Sequence, residues 1–229
     1  MRNVRATNHE GHDVTVSNAP QPTAPEVAHR WLREVISGLP WDQELFLTEN
    51  SVAEASGTSR TPVREALLRM EAAGLVRRVP HKGAFIPALS ERDIAVMMEA
   101  RAVIEEWAVL KVTTEARDTS ALDELLADQA RALDDPVLFI QCDVEFHRHI
   151  IELAENPVLQ DVYDSQRFKQ LRMGVKAVLD SAGRSDHVLL EHEAIVQAIR
   201  SGSSETALRA VREHLSSTLV ALQKPGRQR

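Results

Sequence analysis

Cysteine is almost absent from the sequence: Cys142 is the only one in 229 residues. No intramolecular disulfide can form and there is no CxxC redox or zinc-ribbon motif, which fits a reducing, cytoplasmic setting. Long apolar runs are missing too, none approaching the roughly 18 residues that span a bilayer. The opening MRNVRATNHEGHDV has no apolar segment of the kind a secretory signal needs. The expectation is a cytoplasmic protein that does not enter a membrane. Proline and glycine thin out along the chain: seven of the ten prolines precede residue 88, and between Ser90 and Leu222 stand only two prolines and three glycines. At a length suited to two ordinary domains, that contrast separates a turn-rich first part from a helical second part. With 43% apolar and 27% charged residues the chain can build a core, so a disordered, collagen-like or disulfide-stapled protein is excluded.

Charge is unevenly placed. Residues 1–87 carry ten basic and ten acidic side chains, so the net charge of −7 belongs to residues 88–229. Inside the neutral part, Ser59 to Lys82 holds Arg60, Arg64, Arg69, Arg77, Arg78 and Lys82 against Glu65 and Glu71, a local excess of +4. A basic patch on an otherwise acidic protein points to a docked polyanion.

Residues 1–24 mix polar residues with Pro20 and Pro22 and show no apolar period, the texture of a disordered tail. Val27, Trp31, Leu32, Val35 and Ile36 then recur at helical spacing, and Gly38 with Pro40 ends that helix. Thr48 is a good N-cap for a short helix that stops at Gly57, and Ser59 to Ala73 forms a third helix stopped by Gly74. Leu75–Val79 and Ala84–Ile86, joined by Pro80-His81-Lys82-Gly83, read as a hairpin with a basic tip, and Pro87 closes the unit. Beyond it the pattern predicts six helices: Ser90 to about Thr114, Ser120 to Leu133, Pro136 to Ala154, Pro157 to Ala182, Asp186 to Ser201 and Glu205 to Leu222. Asp135-Pro136 and Asn156-Pro157 each pair an N-cap with proline at the first helical position. The expected fold is mainly α, a winged helix-turn-helix over 25–87 followed by an antiparallel helical bundle of about six helices over 88–223, with a short tail at 224–229.

Two helices joined by a Gly-containing turn, the second basic at its N-terminal end, suit DNA reading. Only the first turns of such a helix enter the major groove, and there stand Ser59, Arg60, Thr61 and Arg64. Arginine can bond guanine O6 and N7 bidentately while hydroxyls suit phosphates, so Arg60 and Arg64 are expected to specify and Ser59 and Thr61 to position. His81 and Lys82, at the hairpin tip, would reach the minor groove or backbone. The competing reading is a solvated helix face beside a merely structural hairpin. The string SRTPVREALLRMEAAGLV followed by HKGAFI, however, closely resembles the winged helix-turn-helix of GntR-family transcription regulators. The resemblance implies binding to double-stranded DNA, base or phosphate contacts from Arg60 and Arg64, phosphate contacts from Ser59 and Thr61, and a wing shaped by Gly83. One position departs from the family pattern: Asn50 follows Glu49 where an arginine that often touches DNA is usual.

In the second part, Asp143 and His147 lie four residues apart in CDVEFHRHI and share one helix face, whereas His149 points elsewhere. His192 in LLEHEAIVQAI and His214 in AVREHLSST sit within apolar patterns on later helices. A bundle could converge these four groups, and three imidazoles with one carboxylate suit zinc, nickel or a similar divalent metal; each could equally be an ordinary surface or core residue. The spacing DxxxH, EHxxI and HL is similar to the all-helical FCD effector domain of the FadR-type GntR branch. That resemblance, covering about residues 25–222, implies metal ligands at Asp143, His147, His192 and His214. A count of six helices favours the shorter form of that domain. In MEARAVIEEWA the resemblance places Arg101 in a ligand pocket, where it would clamp a small carboxylate against the metal; the alternative is a salt bridge to Glu105 one turn on. Arg172 is a further pocket candidate on a helix that also carries Arg167, Lys169 and Lys176.

These readings together describe a homodimeric transcription regulator, taken as a repressor, that binds a palindromic operator and responds to a small organic acid at a divalent-metal site. Two alternatives remain at this level: a regulator that senses the metal alone, and a helical metalloenzyme.

Overall fold

The computed structural model describes residues 6–7, 13–14 and 22–223. Most of the tail expected over 1–24, and the whole of that over 224–229, lies outside the described residues. Two short strands, β1 (Ala6–Thr7) and β2 (Asp13–Val14), pair antiparallel. Helix α1 (Ala24–Gly38) starts inside the span expected to be tail, because the Glu26 carboxylate accepts bonds from the backbone and hydroxyl of Thr23 at 2.7 and 2.8 Å and Pro25 sits in the first turn.

Strand β3 (Leu45–Thr48), helices α2 (Glu49–Ser56) and α3 (Arg60–Ala72), and strands β4 (Arg77–Val79) and β5 (Gly83–Ile86) complete the winged helix-turn-helix. Gly57 ends α2 at φ 65°, the left-handed geometry that its missing side chain permits. The sheet order is β3-β5-β4, all antiparallel. The sequence reading foresaw the β4–β5 hairpin and not β3, whose four residues are too few to show a period of two. Ala28, Leu32, Ile36, Val63, Leu67 and Met70 from α1 and α3 are buried in the core beneath this sheet.

The second part contains seven helices: α4 (Glu91–Thr114), α5 (Ala121–Arg131), α6 (Pro136–Leu153), α7 (Pro157–Ser165), α8 (Arg167–Asp180), α9 (Arg184–Arg200) and α10 (Ser204–Gln223). The count of six is corrected at Gln166, which splits the expected Pro157–Ala182 helix. Neither proline nor glycine marks that break. Tertiary contacts hold the two segments: Tyr163 is buried and donates to Glu105, Arg167 pairs with Glu145, and Phe168 packs against the DNA-reading unit. The bundle core runs through Ile104, Ala108, Phe146, Ile150, Ile195 and Val211.

Helix α8 joins the two units. Phe168 packs against the apolar clusters of both and lies 5.1 Å beneath the Arg33 guanidinium. Two residues on, Arg172 donates to the carbonyls of Gln43 (2.7 Å), Pro87 (2.8 Å), Leu39 (3.1 Å), Pro40 (3.2 Å) and Trp41 (3.4 Å). Lys176 reaches Asp42 at 3.0 Å. Among the described residues no helix is long and apolar enough to cross a membrane.

Candidate functional site

The N-terminal end of α3 is a polar face. Ser59, Arg60, Thr61 and Arg64 are exposed, and the Ser59 hydroxyl makes no capping bond, so it is free to meet a phosphate. Glu49, buried at the start of α2, accepts from Arg60 Nη2 at 3.0 Å and from Arg64 Nε at 2.9 Å through the same oxygen. The bond from Arg64 holds the Glu49 carboxyl below its ordinary range, against the opposing effect of burial. His81, at φ 60°, and Lys82 are exposed at the turn of the wing. Gly83 is buried instead: a Cβ there would stand 1.9 Å from the Leu47 carbonyl oxygen. It belongs to the β5–β3 pairing at the base of the wing.

Three of the four expected metal ligands converge inside the bundle. His147 on α6, His192 on α9 and His214 on α10 form a near-equilateral triangle, with ring centroids 4.8 to 4.9 Å apart. All three are at least 98% buried, and one ring nitrogen of each lies within 4.8 Å of the others. Asp143, one turn before His147, brings Oδ1 to 3.4 Å from His192 Nε2. Phe146 stacks flat on His192, with centroids 4.2 Å apart, and fixes that ring.

Groups outside the triangle fix which nitrogen faces inward. His192 Nδ1 donates to Gln129 Oε1 at 2.8 Å, and His214 Nδ1 donates to Glu191 Oε2 at 2.8 Å. His147 Nδ1 stands 3.0 Å from Glu105 Oε2, although that oxygen meets no well-aligned donor. Nδ1 protons on His192 and His214 leave their Nε2 atoms as acceptors toward the centre of the triangle, and His147 Nε2 meets His214 Nε2 at 3.1 Å. His192 Nε2 is buried with no hydrogen-bond partner. Burial, reinforced by the neighbouring histidines, pushes His192 well below its ordinary range and lowers His214 as well, so a proton is a poor filler for this space. A divalent cation satisfies all three lone pairs at once, and the donor set of imidazole nitrogen and carboxylate oxygen suits it.

The surrounding charge supports that fit. Burial alone would raise Glu105, yet Arg101 and His147 beside it hold its carboxyl well below the usual range. Glu191 is brought down to about 2 against the effect of burial by its bonds with His214 and Arg184. Arg101 donates to Glu105 at 2.7 Å, the salt bridge foreseen as its alternative role, and it also lines a narrow cavity beside Asp143. Gln170, Met173 and Gly174 of α8 form one wall, and the free volume is about 20 Å³. Arg172 is not there. Its guanidinium is spent on the carbonyls between the two units, which corrects its assignment to the pocket.

Sequence reasoning missed Glu105, Gln129 and Glu191, which orient the three histidines, and Arg184, which lines the cavity while bonding to Glu191, Ser217 and Thr218 at 2.9 Å each. Glu105 alone carried a signal, as the partner one turn from Arg101. The others gain meaning only when distant helices meet.

Two family descriptions match the chain: "Bacterial regulatory proteins, gntR family" over residues 25–86 and "FCD domain" over residues 96–217, the latter covering more than half of the sequence. The probable D-xylose utilization operon transcriptional repressor of Paenarthrobacter nicotinovorans is 28% identical over 177 residues, 76% of this chain and 77% of that protein. The gluconate operon transcriptional repressor of Bacillus subtilis (strain 168) is 28% identical over 188 residues, 78% of this chain and 76% of that protein. The galactonate operon transcriptional repressor of Escherichia coli (strain K12) is 24% identical over 201 residues, 77% and 86% of the two chains. Among solved structures, a putative transcriptional regulator GntR from Rhodococcus sp. RHA1 superposes with a TM-score of 0.73 at 23% identity, covering 87% of this chain and 96% of that one. E. coli McbR/YncC follows at 0.70 and 20%, covering 88% and 98%. At these identities the two structures speak for the fold alone.

Proposed function

The chain belongs to the gntR family of bacterial regulators and carries that family's FCD domain; it is a DNA-binding transcription regulator and not an enzyme, and from that premise we propose a repressor whose operator affinity is set by a small organic acid at a divalent-metal site in the bundle. The single observation that carries the proposal is the convergence of the buried His147, His192 and His214, whose ring nitrogens gather within 4.8 Å and among which His192 Nε2 has no hydrogen-bond partner among the described residues.

Asp143 and the three histidines would hold the metal, zinc, nickel or a similar ion, which when bound supplies a Lewis-acidic positive centre. Arg101 and Arg184 face the same cavity with guanidinium groups, the second element of a two-ended grip on a carboxylate. Two of the relatives are named for operons of sugar acids, gluconate and galactonate, and a hydroxylated acid of that class suits a site built from cations, Gln170 and Thr218. A cavity of about 20 Å³ accommodates little more than one water. Any such acid therefore needs one wall to move, and α8 is the wall whose far side grips the DNA-reading unit through Arg172. The small cavity also favours a second reading in which the metal alone is the signal.

The family places the protein's work on DNA, and the cytoplasm is the compartment in which we set it. The test is elemental analysis of the purified chain beside the Asp143→Ala/His147→Ala double variant, followed by titration of a selected operator duplex with gluconate and galactonate. We expect about one metal per chain, lost in the variant, and an operator affinity that an acid changes only in the metal-loaded protein. Absence of metal after reconstitution would sink the proposal, and operator affinity that tracks metal with no acid present would favour the second reading.

A further inference from the structure

We infer that Glu49 is a specificity-determining residue of DNA reading, a buried carboxylate that positions the Arg64 fork for a guanine and lowers the attraction of the same surface for any other duplex. The inference starts from one oxygen. Glu49 Oε2 accepts from Arg64 Nε at 2.9 Å, from Arg60 Nη2 at 3.0 Å and from Arg60 Nε at 3.3 Å. The carboxylate is 6% exposed, whereas the Arg60 and Arg64 side chains are 52% and 46% exposed. A fixed group on α2 thus holds two mobile ones on α3.

The two arginines are held differently, and that difference assigns their roles. Arg64 gives Glu49 only its Nε, so among the described residues both of its terminal nitrogens stay unengaged on a side chain that is half exposed. Such a pair matches the O6 and N7 acceptors of guanine in the major groove. Arg60 gives up Nε and one Nη2 hydrogen, the whole of one edge, to the same oxygen; it is the more tightly held of the two and the less free to turn toward a base. The sequence reading gave both arginines base or phosphate contacts; here Arg64, held by one bond, is assigned as the reader and Arg60, held by two, as the more tightly fixed partner.

Neighbouring residues leave this arrangement undisturbed. Helix α2 has no cation of its own, because Asn50 stands beside Glu49 where the family pattern often has arginine. Thr48 and Ser51 cap the start of α2 by bonding each other, so the carboxylate is not consumed as a cap. An arginine already held in its binding geometry loses less side-chain freedom when it meets a base. The negative charge works in the opposite direction on phosphates: it offsets part of the attraction that makes any duplex bind a basic face. Specificity is the difference between the two affinities, and Glu49 raises one while lowering the other.

The test uses the full chain and a randomised duplex library, from which the wild type selects its own consensus. Wild type, Glu49→Gln, Glu49→Asp, Arg64→Ala and the Glu49→Gln/Arg64→Ala pair are then measured, at one salt concentration, on that consensus and on a scrambled duplex of the same composition. We expect the consensus to hold a guanine in each half-site whose replacement by 7-deazaguanine, which lacks the N7 acceptor, weakens the wild type. Glu49→Gln should lower the consensus-to-scrambled ratio by about tenfold, the size of one lost bidentate contact, bind scrambled DNA more tightly, and lose its sensitivity to 7-deazaguanine. Glu49→Asp keeps the charge but is one methylene shorter, so it should lose the preference without gaining affinity for scrambled DNA; it carries the test where Glu49→Gln does not fold. In the Arg64→Ala background, Glu49→Gln should cost no further preference. An unchanged ratio in the folded Glu49 variants, a consensus without guanine, or a full further loss in the double variant overturns the inference.

Discussion

At the scale of single residues, the His192 ring shows how a fold prepares a ligand. Its Nδ1 is committed to Gln129, its face to Phe146, and its Nε2 to nothing among the described residues. The tautomer and orientation are therefore set before any cation arrives, which is the work usually done by groups behind metal ligands. This arrangement has a consequence for the metal-free chain. Burial lowers His192 and His214 from the ordinary value of 6.5, so the unfolded state takes up protons near that pH while the folded state resists them. Stability contributed by the neutral rings is therefore complete above pH 6.5 and declines as pH falls below it, by up to about 1.4 kcal/mol per pH unit for each histidine. Urea unfolding of the chelator-treated protein should give a lower midpoint at pH 5.5 than at pH 7.5. His192→Gln, which cannot take up a proton, should show a smaller difference between the two; a wild-type midpoint that rises on acidification would contradict the burial argument.

At the scale of elements, α8 is the piece that touches both halves of the molecule. One side of it, Gln170, Met173 and Gly174, forms a wall of the cavity, and Gly174 lies so close to α6 that a Cβ would stand 2.6 Å from Ile140. The other side carries Arg172, bonded to five carbonyls of the DNA-reading unit, four in the loop between α1 and β3 and one at Pro87 where the chain leaves it. An effector that widens the cavity can act on DNA only through a differential interaction with two placements of that unit, and Arg172 is where α8 grips it. Arg172→Ala should leave effector affinity, read by calorimetry, nearly unchanged, while the ratio of operator affinities with and without effector falls toward one. Stability should drop by about 3 kcal/mol as buried carbonyls lose charged donors. Undiminished coupling in a folded variant would move the path elsewhere. None of this was legible from sequence, where Arg172 stood as one cation among several on a long helix. Helical patterning and caps did reveal nearly every helix, and the ligand histidines were visible as polar residues inside apolar periods. The break at Gln166, the strand Leu45–Thr48 and the partners Gln129, Glu191 and Arg184 were not visible, because each exists through contacts with residues far away in the chain.

At the scale of the whole molecule, the outer face of α4 is where we predict that two copies pair to read an operator. A single recognition helix makes too few base contacts for tight specific binding, and a two-fold pair reading two half-sites about one helical turn apart supplies the rest. The described residues offer a surface for that pairing. Val96, Val103 and Leu110 recur at seven-residue spacing along α4 and are 55%, 68% and 36% exposed, while Val158 and Val162 on the adjoining α7 are 68% and 47% exposed. An apolar stripe of this kind on a helix is the seam of a helix pair, and a second copy of the same chain can meet it with the same stripe. The opposite face of α4 carries Arg101 and Glu105, so the apolar stripe and the histidine cluster lie on opposite sides of one helix. Val103→Glu places a carboxylate in the middle of the stripe on both sides of the two-fold axis, where the two charges face each other without partners. Sedimentation equilibrium should show a dimer for the wild type and a monomer for the variant, with metal content retained because the ligands lie on the inner face. Operator affinity should fall by at least a hundredfold, since each monomer then binds a half-site alone. A variant that stays dimeric would place the two-fold axis on another face, and a monomer that kept full operator affinity would remove the need for pairing altogether.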